Sequence, residues 1–258
     1  MRLMKRILSA AAVLALSASL LVGCSSGTAS SVPVSASSAA ESTVSSVEET
    51  ASSAVDENEA AAAQLLNDLT GSYQELWPVI LADEYKQTWL DDCTALVGED
   101  NAEAAFEKLS SMVTGDVYGE DAVKAYANGG GAYFCGFTNS LATLTFDGET
   151  STISGTDKDG NVLFSHTYHY IGMEPVRGLY EFESDDADSG EFTYFFLAPD
   201  TSAETYHIEF RYGSDAEALS QYDAGKYAYW LASGISTDCD QTMIDNCIEL
   251  FCTENLAG

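Results

Sequence analysis

An alternation of apolar and polar residues runs through much of the second half of the chain and is clearest in ETYHIEFRYG, residues 204–213. Aromatic and aliphatic side chains take every second position there, and His207, Glu209 and Arg211 lie between them. This period of two predicts a β-strand with one buried face. Two more strands with the same pattern are predicted just upstream, on either side of an exposed polar turn at residues 184–190.

The period of the pattern changes at the glycine triplet 129–131. Before it, apolar residues recur at helical spacing, and helices are predicted at residues 57–69, 73–81, 102–112 and 121–127. After it, strands are predicted at residues 132–137, 141–146, 150–153, 162–170, 177–183, 191–197 and 204–212. Two helices, at 215–224 and 242–251, finish the chain. Seven or eight antiparallel strands joined by turns such as Asp147-Gly148 and Asp159-Gly160 predict an up-and-down β-barrel. The fold class is therefore mainly β with flanking N-terminal and C-terminal helices.

The first 24 residues carry the pattern of an export signal. Arg2, Lys5 and Arg6 precede an apolar run at residues 7–21, and Leu-Val-Gly-Cys follows, ending at Cys24. This resembles the signal and lipobox of a bacterial lipoprotein, whereas a membrane-spanning helix needs roughly 18–25 apolar residues. The resemblance implies cleavage before Cys24 and acylation of its thiol, for example with palmitate. The protein would then be extracytoplasmic and anchored to the outer face of the cell membrane.

Composition divides the rest of the chain into a linker and one domain. Residues 25–58 are rich in Ser and Ala, contain no Lys, Arg or aromatic residue, and are predicted to be a disordered tether. Residues 59–258 are long enough for one domain with a substantial core. Loss of the signal leaves seven basic residues against 41 acidic ones, a charge of about −34. Such a charge repels phosphate, so no nucleic-acid partner is expected.

Catalytic motifs are absent from the sequence. It contains no His-Glu-x-x-His, no Gly-x-Ser-x-Gly and no phosphate-binding glycine loop, so an enzyme is not expected. The domain has five cysteines but no Cys-x-x-Cys pair, which disfavours zinc-ribbon and thioredoxin-like folds. Outside the cytoplasm one or two disulfides are plausible, and their connectivity is open. These cysteines are Cys93, Cys135, Cys239, Cys247 and Cys252.

An ordered set of short motifs resembles the ZinT/YodA family, whose members are extracytoplasmic, lipocalin-like (calycin) barrels that bind zinc. No single motif is specific, but the order is preserved from Gly71 to the C-terminus. The matching segments are residues 71–73, 77–81, 176–182, 195–199, 206–208, 213–215 and 226–231. The resemblance implies a lipocalin-like barrel domain that holds zinc or a related divalent cation and belongs to a metal-uptake system.

The departures from the family fall on its three zinc-binding histidines. The first, three positions before the Ala-Pro of its strand, is Phe195 here. The other two form a His-x-His pair, which falls on His207 and Glu209 or on Thr205 and His207, depending on the register. In either register only His207 matches a histidine.

The predicted metal ligands are His207, Glu209 and His169, with zinc as the expected ion, held weakly. His207 and Glu209 share one face of their strand. His166 and His169 are predicted on a nearby strand, and residues three apart on a strand point to opposite faces, so at most one of these two histidines could join them as a ligand. Two alternatives stay open. The row of His207, Glu209 and Arg211 could simply face solvent. The barrel could also have lost its metal site and bind a small apolar ligand or a partner protein.

Overall fold

The computed structural model describes residues 57–130, 132–199 and 202–257. The predicted signal, the predicted lipidation site Cys24 and nearly all of the predicted tether lie outside these residues. Among the described residues, no helix is long and apolar enough to cross a membrane.

Eight antiparallel strands form a closed barrel in which each strand pairs with the next one in sequence and β1 pairs with β8. This confirms the predicted fold class and the up-and-down order. The strands are β1 (Gly71–Glu75), β2 (Thr143–Asp147), β3 (Thr152–Thr156), β4 (Val162–Met173), β5 (Tyr180–Ser184), β6 (Tyr194–Leu197), β7 (His207–Gly213) and β8 (Ala232–Ser236). The turns at Asp147-Gly148 and Asp159-Gly160 join β2 to β3 and β3 to β4, as predicted.

Most helices lie before the second strand or at the C-terminus. They are α1 (residues 57–68), α2 (Leu76–Ile80), α3 (Lys86–Val97), α4 (Glu99–Ser111), α5 (Glu120–Ala127), α6 (Ala216–Leu219) and α7 (Gln241–Leu256). Short 3-10 turns occupy Asp83–Tyr85 and Gly190–Phe192. The Asp215 side chain caps α6 by accepting a hydrogen bond from the Ala218 amide, and this helix ends at Leu219 and not at residue 224.

Aromatic side chains fill the interior of the barrel. Phe146, Phe182, Phe195, Phe210 and Tyr212 are each at most 1% exposed, and the last three have ring centroids 5.3–6.4 Å apart. An interior packed in this way leaves the barrel axis to side chains rather than to a ligand. A binding site is therefore expected on the outer surface of the barrel.

A second apolar cluster lies outside the barrel, where α2, α3, α4 and α7 pack together. Trp89 of α3 is fully buried, and its indole N–H donates to the Ile80 carbonyl at 2.7 Å. Ile235 of β8 belongs to the same cluster, so this helical layer covers the outer face of β8. The same layer also borders the outer face of the neighbouring strand β7, where His207 and Glu209 lie.

Further differences between the sequence predictions and the structure concern strands. Tyr73 lies on β1, opposite Leu144 of β2, and not in a helix, because residues 71–75 close the barrel. The segment 132–137 forms isolated bridges through Phe134 instead of a strand. Strand β8, with the small residues of ASGIS, has little apolar alternation and was not predicted.

Candidate functional site

Strand β7 presents two different faces, as its alternation predicts. Ile208, Phe210 and Tyr212 point into the barrel and belong to its core. His207 and Glu209 therefore lie on the outer face and are partly exposed. The outer face of β7 therefore carries two ionisable side chains that could bind a ligand.

Helices α2 and α7 lie over the start of this face and form a small pocket with it, here called the β7–α7 pocket. Its cavity measures about 30 Å³. His207 and Glu209 of β7 contribute two ionisable groups, and the exposed Glu254 near the end of α7 contributes a third. The full lining is Leu76, Trp77, Ile80, His207, Glu209, Cys247, Leu250, Phe251 and Glu254.

The imidazole of His207 is oriented by the buried residue before the strand. His207 Nδ1 lies 2.8 Å from Oγ1 of Thr205, which is 5% exposed. When Nδ1–H donates to this hydroxyl, Nε2 carries the ring lone pair and is the nitrogen that can bind a cation. The contact orients the ring, and because the Thr205 hydroxyl donates to the Ser202 carbonyl at 3.3 Å, it is placed to accept from Nδ1–H.

Cys247 lines the same pocket but is poorly suited to be a ligand. Its thiol donates to the Thr205 carbonyl at 3.2 Å. Burial, with a smaller contribution from nearby Cys239, raises the pKa of the Cys247 thiol to about 12. The thiol is therefore protonated near neutral pH, whereas zinc requires a thiolate.

The structure does not bring His169 to His207. His169 lies on the outer face of β4, and β5 and β6 separate that strand from β7. Neighbouring strands are about 4.8 Å apart, so the separation along the sheet is on the order of 14 Å, and outward side chains diverge on a closed barrel. His169 Nδ1 instead lies 2.7 Å from Asp185 Oδ1, and both side chains are 53% exposed.

The other two predicted positions also lie apart from the pocket. His166 contacts Asp186, with 2.7 Å between Nδ1 and Oδ2. Phe195, which stands where the family resemblance expects a histidine, points into the barrel core, on the other side of the sheet from His207. Of the predicted ligands, the structure brings together His207 and Glu209.

Glu254 joins this pair through the tertiary fold, and sequence reasoning missed it. It lies 45 positions after Glu209, at the end of a helix whose packing on the barrel no local pattern reveals. Within the described residues, no three His, Cys, Asp or Glu side chains are arranged closely enough to hold a metal ion as they stand. The pocket therefore offers suitable donor types without a formed coordination site.

Glu209 also borders two further cavities on the outer surface of the barrel. One measures about 340 Å³ and the other about 130 Å³, and Arg177, Glu209 and Leu231 line both. The Arg177 guanidinium stacks 4.4 Å from the ring centre of Tyr222. Together these cavities form an apolar groove that carries one guanidinium and one carboxylate.

Arg211, the third member of the outward row on β7, is fully buried rather than exposed to solvent. Its guanidinium donates to the carbonyls of Leu219, Gln221 and Tyr227 and stacks 4.3 Å from the Tyr222 ring centre. Burial lowers the pKa of Arg211. The expectation of a uniformly solvent-facing row is therefore corrected, because the segment after α6 covers this end of the strand.

No protein-family model and no curated protein matches the sequence. Among solved structures, the zinc-bound ZinT-like domain of AdcA from Streptococcus pneumoniae matches with 15% identity and a TM-score of 0.45, covering 71% of this chain and 89% of that domain. Zinc-bound AdcA from the same organism matches with 14% identity and a TM-score of 0.42, covering 72% of this chain. The match spans 35% of that AdcA chain. The first of these structures is a ZinT-like domain, the family that the sequence motifs resemble.

Proposed function

We propose that this chain is an exported lipoprotein whose barrel domain binds zinc or another divalent cation weakly at the β7–α7 pocket. The observation that carries the proposal is that His207, Glu209 and Glu254 line one pocket on the outer face of the barrel. One imidazole and two carboxylates are ligands that zinc accepts. Following the family resemblance, the bound ion would be passed to a metal-uptake system.

The geometry argues for a weak site. Two donors come from one face of a strand and are held by the sheet, while Glu254 comes from an exposed position on a helix. Since no three such side chains of the described residues stand close enough to hold an ion, binding requires these side chains to rearrange, and ordering a long exposed side chain costs free energy. With one nitrogen and two oxygen donors, the site offers a harder ligand set than three imidazoles do. It therefore selects less strongly for zinc over other divalent cations.

The weak site predicts a specific titration result. Metal-free protein lacking residues 1–24, titrated with zinc and in parallel with manganese by calorimetry, should bind one ion per chain. Its preference for zinc over manganese should be smaller than that of a three-histidine site. No heat of binding with either ion would contradict the proposal.

The proposed anchor is the thiol of Cys24, and its support is the Leu-Val-Gly-Cys sequence after the apolar run. A Cys24→Ser variant lacks the acyl acceptor, so it should be found unprocessed or released from the membrane. Cell fractionation and the mass of the chain measure both properties. A variant processed and membrane-bound like the unaltered protein would rule out lipidation at this residue.

A second candidate function rests on the groove beside the pocket. Its cavity of about 340 Å³ lies within the size range of small-molecule sites, and Arg177 and Glu209 are its charged groups. A small, mostly apolar ligand with a charged end fits that lining. Absence of metal binding in the unaltered protein would favour this function, because the barrel would then be a ZinT-like fold without a metal site.

A further inference from the structure

Two cysteines from distant parts of the sequence meet in the helical layer outside the barrel. Cys93 of α3 and Cys252 of α7 are both 0% exposed, and their sulfur atoms lie 3.9 Å apart. A disulfide needs an S–S bond of about 2.05 Å, so the two sulfur atoms would have to approach each other by about 2 Å. In the structure both groups are thiols.

The other cysteines of the domain have different neighbours. Cys135 donates to the Tyr133 carbonyl at 3.8 Å, and Cys247 donates to the Thr205 carbonyl. Within the described part of the chain, Cys93 and Cys252 are the one pair of thiols in hydrogen-bond contact. The tertiary fold therefore favours Cys93–Cys252 among the disulfides that the sequence left open.

We infer that Cys93 and Cys252 form a disulfide in the mature protein, joining α3 to α7. The inference rests on the proposed extracytoplasmic location, since disulfides persist in oxidising compartments. The oxidant is a disulfide of the form R–S–S–R. Two thiol–disulfide exchanges form the Cys93–Cys252 bond and reduce R–S–S–R to two R–SH, with the two protons of the cysteines passing to the leaving thiolates.

Both thiols are 0% exposed in the folded protein, so exchange with an external disulfide has to take place before α7 docks. Once the helical layer closes, neither thiol is accessible to an oxidant, and the finished bond is equally protected from reductants. Because Cys252 lies two residues before Glu254, the bond also fixes the part of α7 that lines the β7–α7 pocket.

Peptide mapping tests the pair directly. The full chain is isolated from cells in detergent or, separately, refolded from denaturant in a buffer of reduced and oxidised glutathione. Free thiols are then alkylated under denaturing conditions without reductant. Cleavage after glutamate gives residues 85–99 with Cys93 as their one cysteine, and residues 250–254 with Cys252 as theirs. The expected product is these two peptides joined, with Cys135, Cys239 and Cys247 alkylated.

Thermal unfolding gives an independent readout. Cys93 and Cys252 are 159 positions apart, so a disulfide between them closes a long loop and should raise the midpoint of thermal unfolding by roughly 5–10 °C. A phosphine reductant present during refolding should remove this gain. Cys93→Ser and Cys252→Ser should lose this response to reductant, and the matched control Cys135→Ser should keep it. Both thiols alkylated after refolding in glutathione would overturn the inference. Free thiols in the protein from cells would also overturn the inference for the mature protein, and a joined peptide after refolding would then trace the failure to the proposed location rather than to the geometry of the pair.

Discussion

Replacing His207 with alanine should weaken zinc binding by at least about tenfold, because even losing a group that merely orients a metal ligand costs that much. His207 supplies the one nitrogen donor of the β7–α7 pocket as the structure describes it, and its ring is held by Thr205 at 2.8 Å. The remaining donors, Glu209 and Glu254, are both carboxylates, which suit magnesium and manganese better than zinc. Calorimetric titration of the metal-free variant beside the unaltered protein measures the change.

His169→Ala is the matched control for this experiment. It also removes an imidazole whose Nδ1 contacts an oxygen of a neighbouring side chain, but on a strand that does not border the pocket. Zinc affinity should stay unchanged in this variant. Zinc binding that survives His207→Ala and is lost in His169→Ala would place the ion at β4. Equal losses in both variants would indicate several weak surface sites on an acidic chain rather than one pocket.

Local pattern was sufficient for most of the barrel and for two of the three candidate ligands. Alternation located most strands, and the i, i+2 spacing placed His207 and Glu209 on one face of β7. It failed for Tyr73, whose apolar neighbours have helical spacing although the chain there closes the barrel. Strand β8 was missed because its small residues pack against other elements and show no two-residue period.

The third candidate ligand, Glu254, depends on tertiary contacts. Glu254 reaches the pocket because α7 packs on the outside of the barrel, and Cys252 meets Cys93 for the same reason. His169 was expected near His207 because their strands are close in sequence, but two strands of the closed barrel lie between them. Sequence spacing reports which face of a strand a residue takes, and it does not report which strands are neighbours or what covers the outer face of each one.

The helical layer links the proposed metal site to the stability of the fold. Helix α7 contributes Phe251 and Glu254 to the pocket, and Phe251 packs edge-on against Trp77 with ring centroids 4.8 Å apart. Of the outward-facing residues of β7, His207 at the start of the strand contacts this helical layer, and Arg211 near its end is covered by the loop after α6. Glu209 lies between these two regions and borders the open groove.

Replacing Arg211 with alanine should destabilise the domain by about 3–5 kcal/mol, because three buried carbonyls lose their donor and each unsatisfied group costs about 1–3 kcal/mol. The loss would leave the carbonyls of Leu219, Gln221 and Tyr227 without the guanidinium that now donates to them, in a place that water does not reach. For a domain of about 200 residues, the midpoint of thermal unfolding should fall by roughly 10 °C. Arg211→Lys should recover part of the loss, because an ammonium keeps the charge but lacks the planar fork that contacts three carbonyls.

The chain offers a matched control in Arg177, whose guanidinium stacks on the same Tyr222 ring, at 4.4 Å against 4.3 Å for Arg211. Arg177 is exposed, so Arg177→Ala removes a comparable cation–π contact without uncovering buried carbonyls, and it should cost about 1 kcal/mol or less. Calorimetric or circular-dichroism melts of the three variants measure the difference. Equal losses for Arg177→Ala and Arg211→Ala would show that stacking on Tyr222, and not the carbonyl contacts, holds the loop over the end of β7.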